Sequence, residues 1–563
     1  MIGSMGLLDP TPPPYDPLEW ERLPFFERAR QACEAWALQG YGTPIAVFLA
    51  YAVKVAAYVG VWALACTLGS GLGSLREIGQ WWLAPAAFQK AIVWSLLFEI
   101  LGLGCGSGPL TARYMPPIGG CLYFLRPGTT KLPLLPGAPV IGGHTRGVVD
   151  VLAYAATLGV LSWTLFSPTI EPLQLWLLIA LVPLLGVLDK TLFLVARGEH
   201  YWTTLVVFAF ATDWIAGAKA VQLALWFWAG FSKLNHHFPT VVCVMTSNSP
   251  LARSRWLRER MYRSYPDDLR PSRLSTLMAH FGTGLEFGVP LVLGFAPLIV
   301  GPGGTALIVG MILMLMLHGY ITSNVPMGVP IEWNVMVVYG AFALFWAHPE
   351  VSVISLGPPA LAVFVILACV VVPLVGNLVP WRVSFLLAMR YYAGNWPYSV
   401  WLFRGDSQAK LERLTKTSPD VYAQLGKFYD RRTSVGLFSK VIAFRMMHLQ
   451  GRALGALLPR AVADVEGGLD AYEYVEGEVV CGLVVGWNFG DGHLHQEPLL
   501  RAVQAQCGFE PGELRCVFVE AQAFARPFMP YRIVDAATGE LEAGRLSVAQ
   551  LRERQPWAKA EVD

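Results

Sequence analysis

The chain has 563 residues, 54% hydrophobic and only 15% charged, with a formal net charge of +2 and a mean hydropathy of +0.46. Soluble domains carry about 25% charged residues, so this balance excludes an ordinary soluble globule. The near-neutral charge gives no argument for nucleic acid as a partner.

Residues 1–18 form a Pro-rich tail, and residues 19–40 mix charges with Trp, Phe and Leu at helical spacing. That spacing predicts an interfacial amphipathic helix, or equally a surface helix packed on the protein. The N-terminus lacks a basic stretch followed by an apolar core, so no cleavable signal is expected. Apolar runs then recur at about 44–67, 88–105, 148–166 and 173–196. Each is close to the roughly twenty residues that cross a bilayer. A shorter run, Tyr201 to Thr212, is interrupted by Asp213 and reads as a half-helix, a re-entrant segment or a tilted span. An apolar helix, Ala220 to Phe231, leads into Lys233, and further runs lie at 284–300, 303–321, 335–346 and 351–376. Arginine-bearing loops at 106–146 and 252–273 fall on the cytoplasmic face by the positive-inside rule, and parity puts the C-terminus there too.

From about Asp406 the composition becomes that of a soluble protein. Residues 406–465 look helical, and a helix is expected at Glu497–Gln506. The stretches 478–487, 513–521 and 530–548 alternate as strands, the last as a hairpin around Ala537–Glu540. The expected architecture is a polytopic α-helical membrane protein of about eight to ten transmembrane helices with a C-terminal soluble α+β domain. Its parts are residues 1–43 (tail and amphipathic helix), 44–404 (transmembrane domain) and 405–563 (soluble domain). No repeat symmetry between halves supports a transporter.

Nine cysteines are scattered without a C-x-x-C pair, so neither a zinc site nor a disulfide framework is signalled. Asp491, His493 and His495 would share one face of a strand and could hold a metal. A turn followed by a helix start explains them better, and no metal is expected.

The titratable groups in apolar surroundings are His200, Lys233, Glu286 and His318. A charge at mid-membrane costs on the order of 2.5–3.5 kcal/mol on insertion scales, so such residues usually face the bundle interior and often mark a functional site. A buried, neutral lysine amine is a competent general base, and a nearby histidine could hydrogen-bond a substrate oxygen. Taken singly, each has a plainer reading: Lys233 as a snorkelling lysine, His200 as an interfacial residue, Glu286 and His318 as groups that hold helices together.

Together these segments resemble the membrane domain of vitamin K-dependent gamma-carboxylases and their bacterial HTTM relatives, over roughly residues 80–350. His200-Tyr201 resembles the Asn-Asn-His-x-Tyr segment of that family, although Gly198 and Glu199 stand where it has asparagines. Gln222 to Asn235 resembles its helix ending in Ala-Gly-x-x-Lys-Leu. The spans with Glu286 and His318, followed by Pro326 to Pro330, resemble its later acidic-then-histidine segment. The resemblance implies a membrane enzyme that couples oxidation of a reduced, vitamin K-like quinone by oxygen to proton abstraction from a second substrate, with carbon dioxide as a further reactant for carboxylation. It implies Lys233 as the base, with His200 and His318 catalytic beside it. Glu199, Tyr201, Glu286 and Asn235 would bind substrate. Membrane lipid, the quinone and an unidentified second substrate would be the partners, and the plasma membrane of a bacterium the location. The alternative is a non-catalytic membrane protein that binds a lipid or small molecule and whose soluble domain recruits a partner.

Overall fold

A chain in hydrocarbon has no water to bond its N–H and C=O groups, so it crosses as a helix that satisfies them internally. The computed structural model, which describes residues 6–69, 71–104, 120–325, 330–383, 391–486 and 492–558, follows this rule. Among the described residues, five helices are long and apolar enough to cross a membrane: Ile45–Leu68, Val148–Phe166, Arg273–Val300, Gly304–Thr322 and Pro359–Leu378. A sixth arises if Leu75–Trp81 and Pro85–Ile100, bent by 111°, count as one span. This is fewer than the eight to ten crossings expected, because other apolar runs form shorter helices. Pro172–Leu188 and Ile331–Trp346 are two of them. Gly198–Phe210 and Trp214–Ser232 are a helical hairpin turned at Asp213, whose side chain accepts from Ile215 N. The two helices approach closely: a Cβ at Gly217 would lie 2.5 Å from Val207 Cγ1.

A short antiparallel hairpin, β1 (Tyr262–Ser264) and β2 (Asp268–Pro271), occupies the arginine-rich loop. The C-terminal region is built on a five-stranded antiparallel sheet. Its strands are β3 (Tyr398–Arg404), β4 (Tyr472–Glu476), β5 (Leu514–Val519), β6 (Phe528–Asp535) and β7 (Gly539–Ser547), in the order β4-β3-β5-β6-β7. The β6–β7 hairpin falls where the alternation predicts, and the helix Glu497–Cys507 lies one residue from its expected end.

Three expectations need correction. Residues 477–484 form a helix, Gly477–Val484, instead of a strand. All eight of its residues are buried, Glu478 being paired with Arg445, and a short buried run carries no period that separates strand from helix. The strand that precedes it is Tyr472–Glu476. The interior strand β3 begins at Tyr398, inside the stretch assigned to the membrane domain, because it is buried along six of its seven residues and reads as apolar as a span. Finally, the helix Phe25–Gln39 turns its apolar face to the protein's own core, the packed one of its two readings, in place of the interfacial one. Its Phe25, Cys33 and Trp36 belong to the core shared with Val441, Phe444 and the sheet. Trp36 Nε1 donates to Val244 O at 3.1 Å.

Both arginine-bearing loops pack on the C-terminal sheet region. Tyr123 O–H donates to Val484 O, Gln506 Nε2 donates to Thr130 Oγ1 at 3.2 Å, and Arg270 pairs with Glu553 at 2.7 Å. Residues 105–119 of the first loop, Arg113 among them, lie outside the described residues.

Candidate functional site

The helix Trp214–Ser232 ends on Lys233, its C-cap residue. Gly230 lets the neighbouring helix Arg273–Pro290 come close, since a Cβ there would lie 3.3 Å from Phe287 and 3.4 Å from the Cβ of Glu286. Small residues at helix crossings in membranes allow this approach. It brings the Lys233 ammonium onto Glu286 Oε1, with side chains only 9% and 4% exposed. The ammonium also lies 5.0 Å from the centre of the Phe238 ring.

His318, on Gly304–Thr322, sits one layer away. Its Nε2 accepts from Trp226 Nε1 at 2.9 Å, which makes it the neutral tautomer with the proton on Nδ1. That proton is donated to Asn334 Oδ1 at 2.5 Å. Asn334 in turn donates to Thr322 Oγ1 at 2.6 Å. With both nitrogens engaged, His318 gives up a bond before it takes a proton. His200 is held alike: its Nδ1 accepts from Trp333 Nε1 at 3.0 Å. Trp333 also carries the Arg197 guanidinium over its ring at 4.5 Å, and Arg197 pairs with Glu99 at 2.6 Å.

Lys233, Glu286 and His318 line one cavity of about 210 Å3. Its wall is mostly apolar, from Leu225, Ala229, Phe238, Val242, Leu317 and Val337. The C-terminal region supplies its roof: Trp396, Phe444, Arg445 and His448. Arg445 is compensated by Glu476 at 3.1 Å and by Glu478. Burial pushes the Glu476 carboxyl up to about 7, against the pull of Arg445. Burial, with the Arg445 and Arg452 charges added, pushes His448 down to about 3, although its bond to Phe444 O works the other way.

Of the residues expected to act, Lys233, Glu286 and His318 are thus brought together, and His200 touches the cavity only through Trp333. The other three lie elsewhere. Glu199 lines a separate cleft with Lys190 and Phe193. Tyr201 is fully buried beside Tyr58, Ser95 and Glu99. Asn235 donates to Ser232 O and borders a separate pocket with Phe524 and Arg552. His493 turns to Glu520 at 3.0 Å while His495 turns to Ser399 at 2.8 Å, so they do not converge. Asp491 lies outside the described residues, among which no three metal-ligating side chains cluster. Sequence reasoning missed Trp226, Trp333, Asn334, Arg445 and His448. Trp226 lies on the Lys233 helix itself, Trp333 and Asn334 on Ile331–Gly340, Arg445 on Arg431–Met446 and His448 just beyond it, and no spacing links them.

An apolar cavity between membrane helices, carrying a buried ion pair and closed by the chain's own C-terminal region, marks a helical membrane protein with an internal pocket. The chain belongs to DUF3556, a family of transmembrane proteins of unknown function whose model matches residues 5–563. No curated protein and no solved structure matches it. The resemblance to vitamin K-dependent gamma-carboxylases and HTTM proteins is overturned by this assignment, since no model of those families matches and one family takes nearly the whole chain. The Ala-Gly-x-x-Lys-Leu piece that carried the resemblance has a local cause: Gly230 admits the neighbouring helix and Lys233 pairs with its glutamate. Pro326 to Val329, the follow-on piece, lie outside the described residues.

Proposed function

We propose that the protein binds a membrane-soluble amphiphile, whose apolar body fills the cavity beside Ala229 and Val337 and whose polar head meets the Lys233–Glu286 pair. The observation that carries this reading is the pair itself. A buried ion pair gives little net stability, whereas an intramembrane ionisable group facing an apolar cavity offers charge and hydrogen bonds to a ligand head. Buried Glu286 Oε2 has no hydrogen-bond partner among the described residues and stands open to a donor on such a head. Purified wild-type protein, extracted with organic solvent and read by mass spectrometry, should release one amphiphile enriched over the bulk lipid. Ala229→Phe, which fills the cavity, should release none. No enrichment in either protein overturns the reading.

A second reading is proton abstraction from a quinol-like head, whose two electrons then pass to oxygen. It is favoured by Lys233, Glu286 and His318 sharing this one cavity, with Lys233 as the exchanging group and His318 as a neutral donor scaffold. Formation of an oxidised quinone product by wild type under air, absent in Lys233→Ala, supports it; equal product from both refutes it. Carboxylation and the bacterial plasma membrane rested on the overturned resemblance, and no residue of the cavity carries them. The C-terminal region is assigned here to the cytoplasmic side, because both arginine-bearing loops pack against it.

A further inference from the structure

Away from the cavity, a second cleft of about 1330 Å3 separates the membrane helices from the outer strands of the sheet. It lies where two apolar helices stop. Pro172–Leu188 ends two residues before Lys190, and the span Pro359–Leu378 ends three residues before the exposed Trp381. Lys190, Trp381 and Arg382 line one wall; Arg526, Arg532 and Arg545 line the other. An exposed tryptophan and several cations at the ends of a membrane span and a shorter apolar helix mark the level of the lipid head groups.

The charges in this cleft are not balanced. Five cations share it with three carboxylates, Glu199, Glu497 and Glu520. Glu497 is taken up by Arg532 at 2.7 Å and by Arg501, and Glu520 by His493. Lys190, Arg382, Arg526 and Arg545 have no acidic partner among the described residues. Arg545 instead lies over the Phe528 ring at 4.5 Å, which fixes it on the cleft wall. Uncompensated cations held together cost energy through repulsion, and an anion between them reverses the sign of that energy.

We propose that this cleft binds a phosphate-bearing anion, with the head group of an acidic phospholipid as its source. Arginine and lysine are the side chains that recognise phosphate oxygens, arginine by paired N–H donors. The neighbouring Phe193, Val187 and Pro183 give the acyl side an apolar surface. The site is independent of the amphiphile proposed for the inner cavity, with which it shares no lining residue.

The test uses the full chain purified in a neutral detergent. Thermal stabilisation is titrated with short-chain phosphatidylglycerol, with short-chain phosphatidylcholine and with glycerol phosphate. The expected result is saturable stabilisation by phosphatidylglycerol, weakened by salt, and little by phosphatidylcholine. Arg526→Gln with Arg545→Gln should bind it about thirtyfold more weakly, at about 1 kcal/mol for each cation lost. Both side chains are exposed, so the variant should unfold at the wild-type temperature without lipid. Stabilisation by glycerol phosphate alone keeps the anion site and assigns it to a soluble phosphate ester. Equal stabilisation by the two phospholipids, or an unchanged response in the variant, overturns the proposal.

Discussion

Lys233 and Glu286 allow the sharpest test of the site. Lys233→Met leaves a carboxylate that is 4% exposed with no countercharge, and Glu286→Leu leaves an ammonium that is 9% exposed in the same position. Breaking a buried pair from one side costs about 3–5 kcal/mol, because the remaining charge keeps its desolvation penalty. Replacing both partners by apolar groups of similar volume is often neutral, so Lys233→Met with Glu286→Leu should recover most of that loss. The coupling energy is then roughly 3 kcal/mol or more, far above the few tenths found between independent sites. The assay is unfolding of the four proteins in one detergent, followed by tryptophan fluorescence. Each single variant should unfold several degrees below wild type, and the double variant should lie above both. Bound amphiphile should be lost from all three variants, since each lacks the head-group contact. Two results refute the reasoning: single variants that unfold with wild type, which would mean that water screens the pair, or losses that simply add, which would mean that the two groups do not interact.

Other consequences can be measured on the same preparation. Trp226→Phe keeps the ring but removes the N–H that holds His318 Nε2, and should cost about 1 kcal/mol while shifting the His318 ring resonances in NMR; unchanged resonances would show that the indole does not set the tautomer. Gly340→Ala puts a Cβ 2.1 Å from Gln222 Oε1, so overpacking should cost about 1–3 kcal/mol in unfolding, and a neutral result would mean that Gln222 releases Val337 O and swings away. His448 is pushed down to about 3 in the folded state, so the unfolded chain takes up its proton first and stability falls as pH drops from about 6.5 toward 3. The loss from this residue should reach roughly 2 kcal/mol by pH 5 and be absent in His448→Gln. Glu476, raised to about 7, acts in the opposite sense, its contribution being full below its unfolded value and lost as pH rises through 7, so only the difference between wild type and variant isolates the histidine. Parallel pH curves for the two proteins would refute the assignment.

The sequence by itself determined that this is a membrane protein, and where much of its backbone is helical. Hydrocarbon forces every backbone group to bond within the chain, so apolar length translates directly into helix: Ile45–Leu68, Val148–Phe166 and Gly304–Thr322 each fall within a residue or so of the runs that predict them. The β6–β7 hairpin was equally legible, because one half-exposed face keeps the alternation clean. Buried titratable groups also announced themselves, since Lys233, Glu286 and His318 stand out against leucine and phenylalanine. Tertiary structure alone decided what those groups do. The Trp226 and Trp333 indoles occupy one nitrogen of each histidine, a fact that depends on helix crossings and not on spacing along the chain. The same holds for the cavity roof: Arg445 and His448 lie over two hundred residues beyond Lys233, and they reach it because the C-terminal sheet region folds back onto the membrane helices. Fully buried segments such as β3 and Gly477–Val484 hid their type, because an element covered on all sides has no polar face to give its period away.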